Sequence, residues 1–349
     1  MKTKRRTFYM EIGMLLLLLL LSVIASASVG SASITMKDSL KLLFSKIPFI
    51  GGFIDVTDLN AVYETIVWKV RLPRILLASL VGGGLAAVGC TFQAIFRNSL
   101  ADPHILGVSS GAALGATLSI LSEITLNVFG IGVTSIFAFF GAIIAVFIVY
   151  QIGGLGGKMV ISHLLLTGTA ISTMLSAMIS LLMIYNREQL EKVYLWTLGS
   201  FTASNWSKVT FLFVVSVITV IILFIFCREL NVMLTGDEIA ESLGIDIVKL
   251  KKLLIIVAAT LVATSVSVSG TIGFVGLIIP HCMRILVGSD HRRLLPVSYL
   301  GGAIFMIVCD TIARTIAQPT EIPVGVITAV FGAPYFIFLL YRSSKTGKL

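Results

Sequence analysis

Long apolar runs separated by short polar connectors dominate this chain. They fall at about 12–27, 75–96, 105–121, 128–152, 160–185, 209–227, 253–269, 272–287, 297–317 and 323–341. Each is near the length of a membrane-crossing helix, which needs about 20 apolar residues to traverse a hydrocarbon core about 30 Å thick. An even number of spans puts both termini on the cytoplasmic side. Several runs are short and contain Gly or Pro, Pro280 and Pro334 among them, so tilted or interrupted helices packed within protein are expected there. The first run follows MKTKRR and ends on Ala25, Ser26 and Ala27, which gives it features of a secretory signal. The favoured reading is an uncleaved first span with its basic end inside; the remaining topology is the same under either reading.

Composition supports a membrane domain. Of 349 residues, 57% are hydrophobic and only 12% charged, and mean hydropathy is +1.02. A soluble domain carries about a quarter charged residues, so aqueous enzymes and nucleic-acid readers fit poorly. The formal charge of +9 resides in connectors and not on one basic face. Sixteen of the 26 Lys and Arg fall in connectors assigned to the inside, as membrane insertion favours. Lys69, Arg71 and Arg74 breach that bias in the sequence WKVRLPR at the outer end of the second run. Cys90, Cys227, Cys282 and Cys309 show no C-x-x-C spacing and read as buried small residues. His163 and His281 lack a second ligand at metal spacing, so no metal site is expected.

Small residues recur inside the spans: Gly82, Gly83, Gly84 and Gly89 in the second, Gly107, Gly111 and Gly115 in the third. Such spacing lets helix backbones approach closely in lipid, and packing accounts for most of them, although a pore lining would use small residues too. Asp310 sits within a run where a carboxylate is costly. Arg314, four residues on, shares its helix face, and the two are expected to form a structural pair. A proton relay would need further carboxylates. No H-E-x-x-H motif is present, which argues against an intramembrane metalloprotease, and the scarcity of intramembrane carboxylates argues against a proton-coupled secondary transporter.

The segment RLPRILLASLVGGGLAAVGCTFQAIFRNSLADPHILGVSSGAALGA at 71–116 resembles the signature region of FecCD-type permeases. SGTIGFVGLIIPHCMRILVGSDHRRLLP at 269–296 and PTEIPVGVITAVFGAPYFIFLLYR at 319–342 agree with it. These are the membrane subunits of binding-protein-dependent ABC importers for iron siderophores, haem and cobalamin. The resemblance covers most of 60–342; residues 1–60 match only as a first span and an outer segment. It implies an all-α integral membrane protein similar to the cobalamin-importer permease, with about ten transmembrane helices, in the bacterial cytoplasmic (inner) membrane. The chain 1–349 is then a single permease domain without a cofactor of its own, whose spans two to five and seven to ten form halves of opposite orientation. Its implied partners are a second permease subunit (an identical copy or a paralogue), two ATPase subunits, an extracytoplasmic substrate-binding protein and membrane lipid, with no nucleic acid.

Energy must come from outside the chain. The nearest approach to a P-loop, GGLGGKMV, has Ile152 where the first Gly belongs and Met159 after the Lys, so it fails the pattern at both ends. The longest inside connector, 228–252, contains TGDEIAESLGI. Thr235 is expected to cap a short helix with Asp237 and Glu238 in its first turn and Gly244 at its end. In the resembling family this region enters a groove on the ATPase, which assigns coupling to Gly236, Asp237, Glu238, Glu241, Ser242 and Gly244; a solvated amphipathic turn is the plainer reading. In the family's cobalamin importer, arginines matching Arg71, Arg74 and Arg314 bind acidic residues on the binding protein, so these three are the expected docking residues. Snorkelling to lipid phosphates is the alternative. The expected cargo is an iron chelate, siderophore or haem, with cobalamin as runner-up.

Overall fold

The computed structural model describes residues 2–30, 34–46, 52, 55, 58–124, 126–154 and 161–346. Part of the GGLGGKMV segment, 155–160, lies outside the described residues. In chain order the helices are α1 (Lys2–Ser28), α2 (Met36–Ser45), α3 (Ala61–Thr65), α4 (Leu72–Ile95), α5 (Val108–Leu121), α6 (Val133–Gly153), α7 (Ile161–Tyr185), α8 (Leu190–Thr197), α9 (Trp206–Ile225) and α10 (Cys227–Met233). They continue as α11 (Asp237–Ser242), α12 (Ile247–Ser269), α13 (Val275–Val287), α14 (His291–Ala313) and α15 (Val324–Thr346). A π-turn, Ile66–Arg71, joins α3 to α4, and a two-residue hairpin, β1 (Asn127–Val128) with β2 (Ile131–Gly132), precedes α6.

Among the described residues, seven helices are long and apolar enough to cross a membrane; α5, α13 and the 324–339 part of α15 are apolar but shorter. The run at 105–121 becomes a helix of only 14 residues, about 21 Å at 1.5 Å per residue. Pro103–Leu106 forms a 3₁₀ turn, and Gly107 at φ 77° delays the helix to Val108. The run at 272–287 is likewise shortened to 13 residues, because Phe274 at φ 71° precedes Val275. Conversely, α14 starts six residues before its apolar run, since the Asp290 side chain accepts from the Arg292 N–H and caps the helix.

The order long, short, long, long recurs: 24, 14, 21 and 25 residues in α4 to α7, and 23, 13, 23 and 23 in α12 to α15. The non-helical segment before each short helix lies against the other. His104 Nε2 donates to the Ile272 carbonyl at 2.9 Å, so its Nδ1 accepts from the Ser109 hydroxyl. Gln93 Nε2 reaches the Leu277 carbonyl at 3.1 Å. Non-helical backbone at membrane depth requires such partners, because lipid supplies none.

Where α4 crosses α14 and α13, glycine faces glycine. A Cβ on Gly82 would land on the Gly302 carbonyl, and one on Gly89 would land on the Gly276 carbonyl. The same device joins α5 to α6 through Gly111 and Gly141. These contacts match the packing role that the small-residue spacing implied. Gly89→Val is therefore expected to destabilise the protein by at least about 1–3 kcal/mol, the usual cost of overpacking. Gly13→Val in α1, where a Cβ meets nothing within 4 Å, is the control. Thermal unfolding in detergent should separate the two, and equal melting temperatures would refute the close-contact account.

Candidate functional site

The C-terminal ends of α1 and α14 and the N-terminal end of α4 meet in a buried ionic junction. A helix leaves its last carbonyls unpaired and carries partial negative charge there. At the end of α1, Arg71 Nη1 donates to the Ala27 carbonyl at 2.6 Å and the Ser28 carbonyl at 3.2 Å. Arg314 Nη2 donates to the Ser26 carbonyl and, at 2.7 Å, to the Ser26 hydroxyl. Two guanidinium groups from other helices thus cap α1. In the Ala25-Ser26-Ala27 stretch that looked like a processing site, Ser26 and Ala27 are buried in this contact while Ala25 stays exposed.

Arg74 grips two carboxylates. Its Nε reaches both Asp310 oxygens at 3.0 Å and its Nη2 reaches Oδ1 at 2.8 Å, while Nη1 holds Glu321 at 2.9 and 3.0 Å. Asp310 is 1% exposed; the Glu321 side chain is 39% exposed. The expected Asp310–Arg314 contact exists at 3.8 Å, but it is the weaker one. Arg74, 236 positions away in the chain, is the principal partner, and helix spacing alone could not have identified it. Glu321 was also missed, although it stands in the quoted PTEIPVG. The three arginines expected at an outer docking surface are all buried and bonded within the chain.

At the other end of the molecule, α10, α11 and the start of α12 form the longest connector. Gly236, at φ 124°, occupies the cap position of α11. Thr235 does not cap this helix as expected; its hydroxyl donates to the Val232 carbonyl. Gly244 turns at φ 83°, with its N–H on the Glu241 carbonyl at 2.9 Å and the Ile245 N–H on the Ala240 carbonyl at 3.1 Å, a closed C-terminal turn. Asp237 fastens the helix to buried Lys251 at 2.8 Å and to Arg97 at 3.5 Å. Asp246 caps α12 through the Lys249 N–H, which with the Lys249 ammonium holds the Asp246 carboxyl below its ordinary value. Glu238, Ile239, Glu241, Ser242 and Leu243 remain exposed: a small raised helix with an anchored base and an acidic, apolar crest.

A third feature had no reading in the sequence. Helix α7 leaves Ser162, Thr169, Thr173, Ser176 and Ser180 exposed, and at helical spacing they form one stripe. Exposed Leu166, Met174, Met178, Leu181 and Ile184 flank the stripe on α7, whereas the exposed positions of α9 are mostly apolar, Phe213, Val214, Val217, Ile218, Ile221 and Phe224 among them. The Thr169, Thr173 and Ser180 hydroxyls donate to carbonyls one turn back in α7, leaving acceptor capacity facing outward. The four- and three-residue spacing of these hydroxyls was the available signal.

The FecCD transport family model matches residues 17–342. The chain is 41% identical over 332 residues to the cobalamin import system permease protein BtuC of Halobacterium salinarum, covering 92% of this chain and 88% of that protein. It is 37% identical to the hemin transport system permease protein HmuU of Yersinia pestis, covering 96% of each. Among solved structures, an inward-facing metal-chelate type ABC transporter matches with a TM-score of 0.81 and 35% identity, over 95% of this chain and 98% of that one.

The junction makes a clear prediction. Arg74→Leu leaves the buried Asp310 charge with only the 3.8 Å contact to Arg314 and should cost about 3–5 kcal/mol. Adding Asp310→Asn to that variant should recover a substantial part. Additive losses in melting temperature would show that the two side chains are not coupled.

Proposed function

This chain belongs to the FecCD transport family, and from that premise we propose that it carries an intact organic iron chelate, a siderophore complex or haem, into the cell. As a family member it is the permease subunit of an ABC importer and a multi-pass membrane protein, with ATP hydrolysis in a separate subunit. The observation that carries the substrate class is the α7 stripe, whose Ser and Thr hydroxyls face away from the rest of the chain without a charge among them. Neutral hydroxyls let a bulky, already complexed metal slide past without tight binding. A bare metal cation would call for oxygen ligands including carboxylates, and a bare oxyanion for cations. The second reading is cobalamin, favoured by the 41% identity to a cobalamin permease.

In this reading two permease subunits face each other across a pathway lined by α7. Two ATPase subunits grip the crest of α11, and an extracytoplasmic binding protein covers the outer junction. Gly236, Asp237, Glu238, Glu241, Ser242 and Gly244 serve coupling: Asp237 ties the helix to its base while Glu238 and Glu241 meet the ATPase. Arg71, Arg74 and Arg314 serve docking, with one condition set by their burial. A partner carboxylate meeting Arg74 must displace Glu321, the more exposed of its two internal carboxylates.

Reconstituted vesicles test the reading. ATP-driven uptake of a ferric siderophore or haem should require this permease, its ATPase and its binding protein together. Preference for cobalamin would select the second reading, and uptake of molybdate alone would exclude both. Glu238→Lys with Glu241→Lys should leave the chain inserted while lowering ATPase copurification or uncoupling hydrolysis from uptake; unchanged behaviour in both measurements would remove α11 from coupling. Glu321→Gln frees one side of Arg74, so it should lower the Kd of the binding protein and steepen its salt dependence. An affinity indifferent to this change would remove Arg74 from the docking surface.

A further inference from the structure

Helices α6 and α12 enclose a groove of about 310 Å³ near the α11 end of the molecule, the cytoplasmic end in the proposed orientation. Phe147, Tyr150 and Gln151 line it from α6, and Lys252, Ile256 and Thr260 from α12. Most of its wall is apolar. The Thr260 hydroxyl is turned back to the Ile256 carbonyl, so the polar groups that open into the groove gather at the mouth, where Tyr150, Gln151 and Lys252 stand.

The first turns of α12 carry Lys249, Lys251 and Lys252, at the helix end where the macrodipole disfavours cations. Two of these charges are offset within the chain: Lys249 by Asp246 at 2.9 Å, and Lys251 by Asp237 at 2.8 Å. Among the described residues Lys252 has no carboxylate partner. Its ammonium lies over the Tyr150 ring, 5.7 Å from the centroid, and its side chain is exposed. A cation in an unfavourable helix position, held by an aromatic face at the mouth of an apolar groove, lacks an anion with a hydrocarbon tail.

We propose that this groove binds an anionic phospholipid of the inner leaflet, with its phosphate on Lys252 and Gln151 and one acyl chain along Phe147 and Ile256. Basic pockets between membrane helices on the cytoplasmic side recognise such headgroups. A zwitterionic headgroup brings its own cation and leaves Lys252 less well compensated. The site is independent of what the protein transports.

Native mass spectrometry of the permease purified with its ATPase, exposed to equal phosphatidylglycerol and phosphatidylcholine, tests the assignment. Wild type should retain phosphatidylglycerol preferentially. Lys252→Gln should lower that retention about fivefold, the effect of one lysine at an anionic surface, and Lys252→Arg should preserve it. Ile256→Trp fills the groove without touching the charge and should also reduce retention. Equal retention of the two lipids by wild type, or wild-type retention of phosphatidylglycerol by either Lys252→Gln or Ile256→Trp, would overturn the site.

Discussion

The carboxylate of Asp310 cannot stay charged in the interior unless a cation reaches it, and that single requirement organises the end of the molecule where α1, α4 and α14 meet. Arg74 satisfies it from α4 and, with its remaining donor, holds Glu321 in the segment leading into α15. Helix α14 is thereby registered against α4 at one end, while Gly82 and Gly302 close the same interface further in. Arg314, one turn beyond Asp310, turns toward the end of α1 with Arg71. First span, second span and ninth apolar run are therefore joined by three arginines whose charges are spent on carboxylates and unpaired carbonyls. An ion pair of this kind contributes little net stability over an apolar alternative, but breaking it by removing one partner is costly. The junction thus specifies an arrangement more than it deepens a free-energy minimum.

The second constraint is the absence of water. Two short helices, α5 and α13, reach the interior with the segments preceding them bonded to each other and, through the Thr271 hydroxyl, to the Thr197 carbonyl at the end of α8. Left-handed backbone at Gly107 and Phe274 starts both helices in the same way. This shared geometry and the recurring order of helix lengths give the two halves a structural likeness that their residues barely show.

The two ends of the molecule differ in character. The arginine junction is buried and its three arginines are bonded within the chain, so engaging it requires rearrangement. The inner connector presents α11 on a fixed base, with Asp237 bonded below and an acidic, apolar crest above. In the proposed reading an ATPase pushes on the second without first unfolding it, and a binding protein competes for the first. That asymmetry suits a permease that is powered from one side and supplied from the other.

How much of this was legible in the chain depends on the range of the interaction. Apolar runs and turn residues report local physics, so the membrane class, the approximate helices and the closing turn at Gly244 could be read directly, whereas small-residue spacing alone did not separate close packing from a pore lining. The family resemblance in 71–116 and 269–342 could be read because long motifs persist in order. Local spacing also led to Arg314 as the partner of Asp310, a real but secondary contact. The sequence by itself therefore determined that the chain lives in a membrane and which family it resembles, because both are written in composition and contiguous pattern. Tertiary structure alone decided that Arg74 is the principal partner of Asp310, that Glu321 shares it, that the outer arginines are buried, and that α7 and Lys252 face outward. Each of those facts depends on which residue, often hundreds of positions away, removes a group from its surroundings or leaves it open to them.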